Sequence, residues 1–89
     1  MINMPRPKDL RFYQERLDLF YRLKFSKCTV RWHAYEYLIL CRDFICVILL
    51  EPWKSKASLY FRGNTSKVEK LASILEEYSL KDIEIVKLA

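Results

Sequence analysis

Glycine is almost missing from this chain: Gly63 is the only one in 89 residues. A loop that cradles phosphate needs several glycines, so that backbone N–H groups can come close to the anion. Glycine-rich nucleotide sites are therefore excluded. Histidine occurs once, as His33. Any histidine-based acid–base or nucleophilic arrangement would have to use it, and no serine motif or suitably spaced carboxylate lies near it in sequence. The acids Asp9, Glu15, Asp18 and Glu36 follow no metal-binding spacing, and Glu76 and Glu77 read as solvated charge late in a helix.

Cysteine is scarce as well, with Cys28, Cys41 and Cys46. An odd number cannot form a closed set of disulfides, which favours a reducing, intracellular setting, cytoplasmic or in the nucleoid or nucleus. No Cys-x-x-Cys pair is present. Cys28 and His33 are five apart, as are Cys41 and Cys46, and strand residues of odd separation point to opposite faces. No metal site and no cofactor is read from them. Long apolar runs are missing too. Arg42 and Asp43 interrupt the longest, Tyr37 to Leu50, which is too short and too charged to span a bilayer. The opening residues hold no apolar core of signal-peptide length. No membrane partner is expected.

What remains suits one soluble α/β domain: 52% of residues are apolar and 30% are charged. The net charge is +5, which favours nucleic acid or an acidic protein surface as a partner. It is unevenly spread, at +5 over residues 1–34, −2 over 35–51, +4 over 52–70 and −2 over 71–89. Two basic blocks flank an apolar, mildly acidic centre.

Pro5 and Pro7 mark residues 1–7 as a flexible tail, because proline disfavours helix in the residue before it. Residues 8–89 then form the single domain. From Lys8 to Phe25 the spacing predicts a helix with two apolar seams. Leu10, Tyr13, Leu17, Phe20 and Tyr21 make the main one, and Phe12, Leu19 and Leu23 lie nearly opposite. Arg11, Glu15, Asp18 and Arg22 form the polar stripe between them. From Cys28 the period becomes two: Val30 and Trp32 alternate with Arg31 and His33, as on a strand with one wet face. Strands are predicted over 35–41, over 44–50 (apolar on both faces, hence central) and over 57–62, with a turn at Arg42-Asp43 and a basic loop from Trp53 to Lys56.

Ser66 followed by Glu69 fits a capping box opening a second helix, which runs to about Tyr78 on a stripe of Val68, Leu71, Ala72, Leu75 and Tyr78. Residues 82–88 close the chain as a strand. The expected fold is α+β, a two-layer sandwich of order α-β-β-β(-β)-α-β. Its sheet is mainly antiparallel, both helices cover one sheet face, and the other face stays partly open.

Two surfaces are candidates for function. The second seam of the first helix offers Phe12, Leu19 and Leu23 as apolar anchors, with Arg16 as a rim charge, for a protein partner or a second copy of the chain. Packing of that seam against the second helix is the alternative. The same helix carries Gln14-Glu15-Arg16-Leu17-Asp18-Leu19-Phe20-Tyr21. This string fits Gln-x-x-aliphatic-x-x-aromatic-aromatic and resembles the sliding-clamp-binding peptide, the PIP box, over these eight residues alone. The resemblance implies Gln14 in a small polar pocket of a clamp, with Leu17, Phe20 and Tyr21 in an apolar one.

The other candidate is a basic and aromatic sheet face with its adjoining loop: Arg31, Trp53, Lys54, Lys56, Tyr60, Arg62 and Lys67. Aromatics can stack unpaired bases while Lys and Arg hold phosphates. The order of elements is not that of an RNA-recognition motif. The expectation is a non-catalytic accessory or adaptor protein that docks on a larger protein or nucleoprotein assembly through its first helix. Direct nucleic-acid binding and clamp binding are the alternatives.

Overall fold

A computed structural model describes residues 8–25 and 27–88; the expected tail, residues 1–7, lies outside them. The period-two stretch from Thr29 folds as a meander. Strand β1 (Thr29–His33) turns through Ala34 and Tyr35 into β2 (Glu36–Cys41), and β2 turns at Arg42-Asp43, as expected, into β3 (Phe44–Glu51). Pro52, which lacks a ladder donor, ends β3 and opens a 3-10 turn, Pro52–Lys54, where a basic loop was expected. Strand β4 (Lys56–Gly63) pairs antiparallel with β3. Helix α2 (Thr65–Leu75) then carries the chain over to β5 (Asp82–Lys87), which pairs parallel with β4.

The sheet order is β1-β2-β3-β4-β5. With the first helix, α1 (Tyr13–Arg22), this is an α+β fold with a mixed, mostly antiparallel five-stranded sheet. The doubly apolar β3 lies at its centre, where both faces of a strand are best covered.

One sheet face carries Tyr37, Ile39, Phe44, Cys46, Ile48, Leu50, Ala57, Leu59 and Phe61, all buried. Leu19 and Leu23 of α1 and Val68, Leu71 and Leu75 of α2 join them in one core. The helices lie side by side on this face. Tyr78, just past α2, donates to Asp18 Oδ2 of α1 at 2.6 Å, and Arg22 of α1 pairs with Glu77. Tyr37 ties α1 to the sheet by donating to the Arg16 carbonyl at 2.7 Å.

Four sequence expectations need correction. The faces of α1 are exchanged. The seam read as spare holds Leu19 and Leu23, both 0% exposed, whereas Tyr13 and Tyr21 of the seam read as principal are each 62% exposed. The polar stripe explains this exchange. Asp18 and Arg22 bridge to residues just past the end of α2 and Glu15 is buried, so the stripe faces the neighbouring helix and turns the tyrosines outward.

The other corrections are local. Helix α1 is shorter than the 8–25 pattern, and α2 ends at Leu75, short of Tyr78. The cap of α2 is Asn64, whose side chain accepts from the Ser66 and Lys67 N–H groups, in place of a Ser66–Glu69 box. Cys28 and Cys41 are joined by a disulfide, and Cys46 is buried and free. The pair follows from register: Thr29 faces Leu40, so the next step outward sets Cys28 opposite Cys41, their Cα atoms 4.3 Å apart.

Candidate protein-docking surface

Helix α1 turns outward a ridge of aromatic rings that the fold holds firmly from below. Trp32 is the foundation. It is the last inward residue of β1, stacked on Tyr37 with ring centroids 5.9 Å apart and planes 5° apart. Its indole N–H donates to the Ala34 carbonyl at 2.8 Å. Tyr13 and Phe20 of α1 rest on it, at centroid distances of 5.3 and 5.5 Å. Phe20 meets Tyr21 edge to face at 5.4 Å. Three of these rings are α1 residues at i, i+7 and i+8, so one side of the helix carries them all.

Positive charge lies within this ridge. Lys24 Nζ sits 4.6 Å from the Phe20 centroid and 5.2 Å from that of Tyr21. Arg16 lies over the Tyr35 ring at 4.3 Å, and Tyr35 meets Trp53 edge to face at 5.4 Å. Arg16 also donates through Nη1 to the Leu10 and Arg11 carbonyls at 3.0 and 2.8 Å. Its guanidinium is thereby fixed against the start of α1. Tyr13, Arg16, Trp32, His33 and Ala34 line a shallow depression of about 210 Å³. Phe12, Tyr13 and Trp53, each about three-fifths exposed, project around it.

The residues predicted as anchors therefore divide. Phe12 is exposed and Arg16 half-buried, so both border this surface. Leu19 and Leu23 lie beneath it in the core and cannot touch a partner. The clamp-like residues all belong to the outer side: Gln14 and Tyr21 are exposed, and Leu17 and Phe20 are half-buried. Trp32, Tyr35 and Lys24 complete the surface and were not among the predicted site residues. Alternation alone places Trp32 on one face of a strand, and nothing in sequence spacing joins a β1 tryptophan to a helix face.

The basic-aromatic set does not form one surface. Arg31, Tyr60 and Arg62 are on the open sheet face by register. Trp53 and Lys54 belong to the 3-10 turn, where Lys54 pairs with Glu51 at 3.3 Å. Lys67 is on α2 and reaches Asp43 in the β2–β3 turn at 2.7 Å. That contact holds the Asp43 carboxyl below its usual range, chiefly by the hydrogen bond from Lys67. Lys56 stands between Glu51 and Asp82 in register.

The only free thiol, Cys46, is pushed up to about 12 by burial and carries no nucleophilic thiolate at neutral pH. No group of three or more His, Cys, Asp or Glu residues that could hold a metal occurs among the described residues. No helix among them is long and apolar enough to cross a membrane. Comparison with protein-family models, with curated proteins and with solved structures finds no match to this chain.

Proposed function

We propose that this protein is a non-catalytic adaptor that docks on a larger protein through the outer side of α1. The observation that carries the reading is the exposure of Tyr13 and Tyr21, each 62%, on a ridge fixed by the stacking of half-buried Trp32 on buried Tyr37. Rings held in place before contact lose little conformational freedom on binding, and aromatic residues with Arg are the usual interface anchors. Arg16 and Lys24 beside the rings suit a partner whose apolar groove is rimmed by acidic groups. A sliding clamp is the specific second reading. It is favoured because Gln14, Leu17, Phe20 and Tyr21 share the outer side of α1 and remain at least partly accessible.

The expected location inside the cell rested on unpaired cysteines, and the Cys28–Cys41 bond removes that ground.

The test uses Tyr13→Ser with Tyr21→Ser, two exposed positions whose loss leaves the core intact. Affinity capture from native extract, followed by reconstitution with the purified partner, should show binding by the parent chain and at least about tenfold weaker binding by the variant, the loss of one or two warm interface residues. Titration against a purified sliding clamp decides the specific reading in the same way. Equal binding by parent and variant, with far-UV circular dichroism unchanged, overturns the α1 surface.

A further inference from the structure

The sheet face turned away from the helices is more apolar than a solvated face should be. By register it carries Leu38, Leu40, Ile45, Val47, Leu49 and Tyr60 across the three middle strands. Leu40 and Ile45 are 36% and 38% exposed, and the other four are half-exposed. An antiparallel sheet with one free face normally alternates apolar inward and polar outward. Here β2 and β3 break that rule together, and no described element lies over the result.

The margins of this face differ in charge, with Arg31 on the β1 side, where Glu36 stands beside His33, and Glu84 on the β5 side. Arg31 and His33 project from the β1 edge, and Glu84 projects from the β5 edge. All three are exposed, and none makes an ion pair within the described chain. His33 and Glu84 share one row of the sheet, through Glu36, Leu49 and Ser58, and Arg31 begins the adjacent row.

We infer that this face binds a second copy of the same chain, face to face, about a twofold axis running along β3. Such an axis sets β1 of one copy over β5 of the other and lays the apolar centre on itself. Arg31 and His33 then meet Glu84 of the second copy, and symmetry makes the same contact twice. Beside β1, a depression of about 260 Å³ between Arg31, His33, Leu38 and Val47 receives the opposing β5 margin.

The area is sufficient. Five strands at about 4.8 Å spacing and three side-chain rows about 6.8 Å apart give a face of roughly 24 by 20 Å. Two such faces remove about 1,000 Å² in projection, the lower bound that a biological interface should clear. Sheets stacked in this way keep their strands within about 30° of each other, as in a β-sandwich. A nucleic acid on the same face would gain from Arg31 and Arg62 but would have to cover bare aliphatic side chains and the acids Glu36 and Glu84.

Sedimentation velocity of the full chain over a concentration series tests this directly. A dimer is expected at micromolar concentration. Val47 lies at the axis and would meet its own copy, so Val47→Glu should weaken the dimer by more than about a hundredfold. Arg31→Glu should weaken it about tenfold, and Arg31→Glu with Glu84→Arg should restore it to within about threefold of the parent; tenfold is one lost close charge pair at the scale of buried interface pairs. Arg31 and Glu84 are exposed in the single copy, so this exchange keeps the test valid should Val47→Glu fail to fold. A parent chain that stays monomeric to 200 μM overturns the inference, and so does a dimer indifferent to both Val47→Glu and Arg31→Glu.

Discussion

Gly63 shows what a single residue settles. It ends β4 at φ +106°, and a Cβ placed there would stand 2.2 Å from the Asp43 carbonyl oxygen of the β2–β3 turn. Both the backbone angle and the space demand glycine. The absence of any other glycine makes this position conspicuous in the sequence, although its neighbour across the sheet is not visible there. Gly63→Ala should cost about 1–3 kcal/mol, the scale of a strained φ. In a chain of this size that lowers the melting midpoint by at least about 4 °C. A midpoint within a degree of the parent's would mean that the turn moves aside at no cost. Leu19 and Leu23 belong to the same scale. As wholly buried leucines they are structural residues, and an acidic side chain at either would leave a charge unpaired in the core.

Among the elements, the β1–β2 hairpin was legible in outline and hidden in its chemistry. Alternation from Cys28 to His33, the turn at Arg42-Asp43 and the doubly apolar β3 all follow from local pattern, because a strand's period of two depends only on which face is wet. The Cys28–Cys41 bond depends on register, which pairs residues thirteen apart in sequence, and an odd cysteine count gave no hint of it. The exchanged faces of α1 have a related cause. Helical spacing identifies a ring of apolar positions, but which arc turns inward was decided by Asp18 and Arg22 finding Tyr78 and Glu77 just past the end of α2.

The docking surface was legible only in its α1 half, since Trp32 and Tyr35 join it through the tertiary fold. For the hairpin, alkylation in denaturant without reductant should label Cys46 alone, and labelling of all three thiols would refute the bond. Cys28→Ser with Cys41→Ser should lower the unfolding free energy by about 3 kcal/mol on the loop-closure account. A loss below about 1 kcal/mol in urea titrations would assign the hairpin's stability to its sheet contacts instead.

For the molecule as a whole, the core has an alkaline limit written into it. Burial pushes the Cys46 thiol up to about 12. Burial likewise raises the Tyr37 and Tyr78 hydroxyls above the ordinary tyrosine range, and the hydrogen bond to Asp18 adds to the effect at Tyr78. Each of these acids stays protonated in the fold at a pH where the unfolded chain ionises. Their contribution is therefore complete below the unfolded values, about 8.5 for cysteine and 10 for tyrosine, and is lost as pH rises towards the folded ones.

Melting midpoints should be flat from about pH 6 to 8 and then fall, with cysteine acting first because its unfolded value is the lowest. Cys46→Ala separates this cause from the loss of lysine charge at higher pH. The variant starts from a lower midpoint, since a buried side chain has been shortened, but its decline should begin about 1.5 pH units later, when the tyrosines take over. Parent and variant curves that stay parallel from pH 8 to 11 would show that the thiol is not part of the alkaline limit. A midpoint that holds steady to pH 11 in both would show that the tyrosines ionise as readily in the fold as outside it.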